Sequence, residues 1–252
     1  IKLVKTKVKA DIEVFIHGGM CVSYSGRCTL SNNMTDRDAN RGGCAHSCRW
    51  NYRLFNQHDE MLSAKSGSFN LGSKDLNALR LIPDLIDAGV DSLKIEGRMK
   101  SIHYIATVVG TYRKLIDDYC ENPQKFVFDD KYFNEISKAE NRQTSTGALL
   151  GKPTENEQLY NVRTETPTQE FIGLVLDYDE LNKIATIEQR NYFQSGERVE
   201  VFSPGFQKNY FKVGNIYDEN NNNIDIARHP RQIVKLKIPF PVHPYDILRR
   251  SS

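Results

Sequence analysis

Long apolar runs are missing from this sequence. No stretch of its 252 residues approaches the roughly 18 to 20 apolar residues that cross a bilayer. The first residues also lack the apolar core and the small-residue cleavage site of a signal peptide. Net charge is almost absent as well: because the formal value is only +2, any basic site must be local. These absences predict a cytoplasmic protein with no membrane partner.

Cysteine is scarce, yet four of the five cysteines fall within one segment, residues 20–52, with the spacing C-x6-C-x15-C-x3-C. The segment is dense in Gly, Ser, Asn, Asp and Arg, and it cannot bury enough apolar surface to order itself as core. We therefore expect an external brace. In a reducing cytosol, clustered cysteines are more often metal-binding or catalytic than disulfide-bonded. Disulfides and unconnected thiols remain the alternatives.

The spacing leaves the kind of metal centre open. The sequence has no C-x2-C pair and no histidines at zinc-finger spacing. Zinc nevertheless remains possible, and a [4Fe–4S] cluster is also held by four thiolates. The segment has more arginines than acids, and this excess would suit an anionic cluster, an anionic substrate or RNA phosphates. Arg27, Arg41 and Arg49 are therefore candidate substrate-binding residues. The alternative is a solvated loop whose arginines balance acids elsewhere.

The N-terminal half has the pattern of a parallel α/β unit. The predicted strands are Ile12–His17, Phe69–Leu71 and Asp91–Ile95. Helical spacing predicts a helix from Leu76, with Pro83 in a first turn and Gly89 at its end. A second predicted helix runs from Ile102 to Cys120, where Cys120 should be a small core residue. Since functional groups of such units follow the strands, the loops after them are candidate sites.

Five side chains after these strands could take part in chemistry. Glu96 could accept a proton, and Arg98 could hold a carboxylate; an ordinary surface Glu–Arg pair is the alternative. His17 could face a cluster or a substrate, although such a histidine is more often structural. Lys74 is a further catalytic candidate. Asp75 could bind substrate or cap the following helix.

The C-terminal half changes in composition. A polar segment, 122–167, contains a predicted helix near 130–139 and otherwise resembles a linker. Short strands of period two follow, which predicts a small antiparallel barrel or sandwich. The predicted strands are Phe171–Leu176, Ile184–Glu188, Arg198–Phe202, Tyr210–Val213, Ile224–Ile226, Ile233–Ile238 and Asp246–Leu248. Basic residues here could form an RNA-docking face or a solvated edge; they are Arg228, Arg231, Lys235, Lys237, Arg249 and Arg250.

Four motifs together resemble the collagenase-like peptidase family U-32, and within it the branch that hydroxylates tRNA using prephenate. They are EVFIHGGMCVSYSGRCTLSN, TDRDANRGGCAHSCRW, SKDL at 73–76 and DSLKIEGRMKS at 91–101. The resemblance implies α/β plus β architecture: the C-terminal part of a TIM-like barrel over 1–121, a connecting segment over 122–167, and a small antiparallel β-barrel over 168–252. The strands missing from a full barrel would precede Ile1, so we expect an N-terminally truncated chain that is inactive alone.

The same resemblance implies an iron–sulfur enzyme. A [4Fe–4S] cluster would be bound by Cys21, Cys28, Cys44 and Cys48, with Cys48 the least secure ligand. The implied reaction is oxygen-independent 5-hydroxylation of the wobble uridine in tRNA, with prephenate as cosubstrate and a homologous partner subunit as a further possibility. Between Arg142 and Gly151 the sequence departs from the family, because Ala148-Leu149 replaces an aromatic residue.

Two other functions remain open. The family name implies a protease, yet there is no HExxH motif, and Ser25 fails the G-x-S-x-G pattern. A cysteine nucleophile beside His17 or His46 would require one clustered cysteine to be free. A non-catalytic, RNA-binding accessory subunit is the third reading.

Overall fold

The structure, a computed structural model, describes residues 1–24, 27–63, 68–139, 142–159 and 170–251. Ser25 and the end of the predicted connecting segment, 160–167, lie outside the described residues. The chain divides into two compact units, each built from two stretches: 1–99 with 141–166, and 100–140 with 167–252. This grouping by packing differs from the three consecutive segments expected from the sequence.

The first unit contains a mixed sheet of four strands in the order β3-β1-β2-β4. Strands β1 and β3 are parallel, as are β2 and β4, whereas β1 and β2 are antiparallel. Pro83 lies in the first turn of α3, and Gly89 follows it with φ +81°, as predicted. The elements are α1 Lys2–Lys7, β1 Glu13–Gly18, α2 Leu30–Thr35, β2 Asp75–Asn77, α3 Ile82–Asp87, β3 Ser92–Ile95 and β4 Thr144–Ser145.

The second predicted strand of this unit is wrong. Phe69 makes only an isolated bridge with Tyr52, and the strand lies later, where a helix was expected. Leu76 fits helical spacing but pairs with Gly18 across the sheet, because tertiary pairing overrides local propensity. Asp75 is therefore a strand residue and caps no helix. No closed barrel is found among the described residues, so the TIM-like barrel is not confirmed.

The second unit combines two helices with an antiparallel sheet of eight strands in the order β11-β10-β13-β6-β5-β14-β8-β9. Strands β7 and β12 form a separate pair. The antiparallel strands are confirmed, whereas a closed barrel is not found among the described residues. The elements are α4 Ile102–Glu121, α5 Lys131–Ile136, β5 Phe171–Asp179, β6 Ile184–Gln189, β7 Phe193–Gln194, β8 Arg198–Ser203, β9 Gln207–Lys212, β10 Ile216–Tyr217, β11 Asn223–Ile224, β12 Ile226–Ala227, β13 Ile233–Lys237 and β14 Ile247–Arg250.

The alternating pattern of these strands builds the hydrophobic core of the second unit. Ile172, Ile187 and Val234 are fully buried there, together with Phe193 and Leu248. Helix α4 follows its predicted bounds, and Ser101 caps it by accepting a hydrogen bond from the N–H of Tyr104. No helix among the described residues is long and apolar enough to cross a membrane.

A buried charge network joins the two helices of the second unit to its sheet. Arg249 of β14 is completely buried and pairs with Glu135 of α5, at 2.6 Å, and with Glu200 of β8. Lys138 and Lys208 also pair with Glu135. Arg249 therefore does not belong to a basic docking face, because its charge is neutralised in the interior.

Cys120 also departs from expectation. It is exposed near the end of α4, because the buried positions in that turn are Leu115 and Tyr119.

Candidate functional site

Hydrogen bonds order the described part of residues 20–52, the cysteine loop of the first unit. Helix α2 ends at Thr35, and Asp36, which caps its C-terminus, has φ +54°. The carboxylate of Asp38 then accepts a hydrogen bond from the N–H of Asn40. The buried hydroxyl of Ser31 accepts one from the N–H of Ala45 at 3.1 Å. Local capping thus orders these turns of the loop.

The four cysteines of the loop are free thiols, exposed at Cys21 and half-buried at the other three. Backbone N–H groups lie 3.4 Å from the Sγ of Cys21 and 3.3 Å from that of Cys44. Burial raises the pKa of Cys48, Arg49 opposes this, and the other three cysteines raise it further. No group of three or more His, Cys, Asp or Glu with metal-holding geometry occurs among the described residues.

Asp75 is the buried anchor of the site, with only 4% of its surface exposed. Its Oδ1 lies 3.3 Å from Nη1 of Arg142 and 3.8 Å from Nη2 of Arg49. The three residues come from β2, the segment before β4 and the cysteine loop. A buried carboxylate requires such partners, since an unpaired charge would be costly to desolvate. Asp75 therefore positions two guanidiniums side by side.

Two glycines bring the end of β1 close to this anchor. Gly18 has φ +117°, and a Cβ there would lie 2.4 Å from the carbonyl oxygen of Glu96. A Cβ on Gly19 would lie 3.3 Å from Nη2 of Arg49 and 3.5 Å from Oε2 of Glu96. Glu96 is also held in position, because its N–H donates a hydrogen bond to the carbonyl oxygen of His17 and its carboxylate accepts one from the N–H of Arg98. The glycines leave room for the charged groups to converge.

His46 shows that the site is electropositive. Partial burial lowers the pKa of His46, and Arg49, Arg142 and Arg98 lower it further, whereas Glu96 raises it. Three guanidinium groups oppose a single carboxylate around this ring, so the neutral imidazole is favoured. His46 therefore shares its surroundings with all four charged groups.

Of the other predicted residues, His17 borders the site through its carbonyl oxygen, which accepts the N–H of Glu96. His17 is 1% exposed within β1, and the side chains of Arg27 and Arg41 are exposed. Hydrogen bonds from Thr154 lower the pKa of Glu157, and Lys74 lowers it as well, which places Lys74 beside Glu157. Arg49, Asp75, Glu96 and Arg98 are the predicted residues that the site brings together.

Sequence reasoning did not assign Arg142 and gave His46 no place in the favoured site. Arg142 lies 67 positions from Asp75 in a polar segment without local periodicity, so no sequence signal placed it there. His46 lies two residues from both Cys44 and Cys48, and that proximity was a usable signal.

The fold and the site define a class: a two-unit protein of α/β plus antiparallel β structure, with free cysteines and clustered arginines at the strand ends of its first unit. The chain belongs to peptidase family U32. Residues 1–159 match Peptidase family U32, and residues 167–249 match the Peptidase family U32 C-terminal domain.

Three proteins similar to this chain carry different functional names. The tRNA hydroxylation protein P1 of Bacillus subtilis is 46% identical over 256 residues, covering 100% of this chain and 61% of the relative. The 23S rRNA 5-hydroxycytidine C2501 synthase of Escherichia coli is 39% identical over 121 residues, covering 48% of this chain and 18% of that protein. The Collagenase of Porphyromonas gingivalis is 32% identical over 141 residues, covering 56% of this chain and 34% of that protein. The chain thus spans about three fifths of the Bacillus relative.

Proposed function

We propose that the chain is part of an enzyme that hydroxylates RNA, with the wobble uridine of tRNA as the base modified and prephenate as the hydroxyl donor. The names of two relatives support RNA hydroxylation, one on tRNA and one on rRNA. The observation that carries the proposal is the convergence of Arg49, Arg142 and Glu96 around Gly19 and the buried Asp75. Guanidiniums held in this way suit a carboxylate or a phosphate.

The charged residues divide the work in this proposal. Arg49 and Arg142 bind the anionic cosubstrate, and Asp75 keeps their planar groups oriented. Arg98 adds positive charge at the rim. Glu96 accepts a proton at its carboxylate. This group is exposed and is held in position by the N–H of Arg98.

The reaction must balance in electrons. Replacing the C5 hydrogen of uracil with hydroxyl oxidises the base by two electrons. The hydroxyl donor must therefore leave reduced by two electrons, carrying hydrogen where it carried hydroxyl. Molecular oxygen is not required for this exchange.

A [4Fe–4S] cluster is the proposed cofactor, with zinc as the alternative. The chemistry of the donors fits, because the loop carries four free cysteines and thiolates are the ligands of such a cluster. The described residues do not hold these thiols at metal-binding geometry in this structure. Cys21, Cys28, Cys44 and Cys48 would hold the cluster, which supplies an electron-transfer centre when bound. Anaerobic purification should give a brown protein with about four irons per chain. Changing Cys48 to Ser should abolish the iron content, whereas Cys120→Ser is the matched control; zinc without iron would refute the cluster.

The test of function uses the full-length protein with tRNA and prephenate, without oxygen, followed by mass spectrometry of the nucleosides. Arg142→Gln should lower kcat/KM by about 10- to 100-fold, because one charge-assisted hydrogen bond is worth about 1.5–3 kcal/mol. Lys152→Gln, an exposed lysine in the same segment, is the control. An active Arg142→Gln enzyme would refute the assigned role of Arg142, and a wild-type protein that makes no 5-hydroxyuridine would refute the function.

Proteolysis is the second candidate, because one relative is named a collagenase. A cysteine peptidase needs one thiol, so three of the four Cys→Ser variants should still cleave gelatin. A cluster enzyme should lose activity in each of the four. Gelatin cleavage that survives three of the changes would favour the peptidase over the hydroxylase.

A further inference from the structure

The edge of the second unit carries an unusual pair of like charges. In the register of β8 and β9, Arg198 lies directly opposite Lys212. Like charges at directly opposed positions destabilise a β-sheet. Neither side chain has an acidic partner within the residues that the structure describes. Since local rules are most often broken at functional sites, this pair calls for an explanation.

The acidic residues of the same face already form ion pairs with other basic residues. Glu200 and Glu135, both about 1% exposed, are paired with Arg249, Lys138 and Lys208. Glu197, next to Arg198 in sequence, is bound to Arg250. The face formed by α5, β8, β9 and β14 therefore keeps uncompensated positive charge at Arg198 and Lys212.

An oriented aromatic ring lies beside Arg198. Tyr210 precedes Lys212 by two residues on β9, so both side chains lie on one side of the strand. The Tyr210 hydroxyl donates a hydrogen bond to Glu200 at 2.9 Å, yet 44% of the residue is exposed. The guanidinium of Arg198 lies 5.0 Å from the ring centroid. The stack is thus held in place before any ligand arrives.

We propose that Arg198, Tyr210 and Lys212, the edge patch, form a docking surface for a single-stranded part of the RNA substrate. Lysine and arginine neutralise phosphates, and an unstacked base can stack on an arginine plane or a tyrosine ring. Charge complementarity favours a polyanion. This inference rests on the proposed function, because it assigns the binding of the same RNA to the second unit.

The ordinary alternative is that Lys212 only protects an edge strand. Strand β9 ends the sheet order, and lysines on edge strands discourage pairing between molecules. On that view, a neutral residue at position 212 should cause self-association, whereas a glutamate would still protect the edge, and neither change should alter the affinity for RNA. The two explanations therefore differ in a measurable way.

The variant Lys212→Glu should affect stability and RNA affinity in different ways. The change places opposite charges across the strand pair, so the variant should unfold at an equal or higher urea concentration. Its affinity for fluorescently labelled tRNA, measured by anisotropy with the full chain, should fall by about tenfold at low salt. The slope of log Kd against log salt should fall by about one. Lys125→Glu, which makes the same charge change at an exposed position between α4 and α5, is the matched control.

Each outcome decides between the possibilities. Loss of affinity in Lys212→Glu but not in Lys125→Glu supports the edge patch. Equal effects in both variants would show a general charge effect, and unchanged affinity in Lys212→Glu would show that Lys212 only protects the edge; either result overturns the inference while RNA binding by the wild type persists. A wild-type chain that binds no tRNA would overturn both the inference and the proposed function.

Discussion

Of the two consecutive glycines at the end of β1, we expect Gly18 to be needed for stability and Gly19 for activity. Gly18→Ala should destabilise the fold by about 2–4 kcal/mol, because φ is positive and the new Cβ would overlap the backbone of Glu96. Gly19→Ala should leave stability within about 1 kcal/mol, since the Arg49 side chain can yield. It should still lower the proposed hydroxylation by the full-length protein, because Arg49 and Glu96 would be displaced.

Urea unfolding and the nucleoside assay on the two variants test this division. A Gly19→Ala protein with full activity would show that the approach of Arg49 to Glu96 has no role. A stable Gly18→Ala protein would show that the strand end tolerates a side chain there.

His103 makes the stability of the second unit depend on pH. It is 4% exposed and stacks on Phe171 at 5.6 Å. Burial lowers its pKa to about 4, Arg249 adds to this, and Glu135 and Glu200 oppose it. The unfolded chain then binds a proton first as pH falls, so stability is complete above pH 6.5 and is lost progressively toward pH 4.

The expected loss between pH 7.5 and 5 is about 2 kcal/mol in the free energy of unfolding. Glu135 and Glu200 contribute little in this window, because their lowered pKa values lie below it. His103→Gln should flatten the dependence, measured by circular dichroism in urea, and His229→Gln at an exposed position should not. A His103→Gln protein with the wild-type slope would contradict the assignment.

At the scale of the elements, β14 contains adjacent arginines with opposite environments. Arg249 is buried against two carboxylates, whereas the Arg250 side chain is 29% exposed and pairs with Glu170 and Glu197. Arg249→Met should cost about 3–5 kcal/mol, because it leaves buried carboxylates undercompensated. Arg250→Met should cost about 1 kcal/mol or less.

Urea midpoints of the two variants test this difference. Adding Glu200→Gln to Arg249→Met should recover part of the loss, since one uncompensated charge is removed. Equal costs for the two arginines would show that burial of Arg249 does not determine the stability of these elements.

The same elements show which features can be predicted from sequence. Periodicity located α4 and the long strands of the second unit, because each buries one regular face. It misplaced β2, a strand of only three residues whose position depends on pairing with β1. Arg249 was expected on the surface because of its charge. Its buried position could not be predicted, because its partners Glu135 and Glu200 are distant in sequence. Arg142 was missed for the same reason.

At the scale of the whole molecule, the chain order does not follow the packing order. Residues 100–140 belong with the C-terminal sheet, although they follow directly on the cysteine-loop unit. The Arg249 network gives this grouping a physical cause, because it ties α5 to β8 and β14. Helix α4 joins through Thr107, whose hydroxyl lies 3.4 Å from Nη1 of Arg249.

Native-state hydrogen exchange should therefore show α4 opening together with β5 and β6, with one free energy and one dependence on urea. Strands β1 and β3 should open as a separate group, since they belong to the other unit. Arg249→Met should lower the opening free energy of α4, β8 and β14 and leave that of β1 and β3 unchanged. Mass spectrometry of peptides from the exchanged full chain measures all of these at once. Exchange of α4 in step with β1 and β3 would show that the helix opens with its neighbours in sequence and not with the sheet on which it packs.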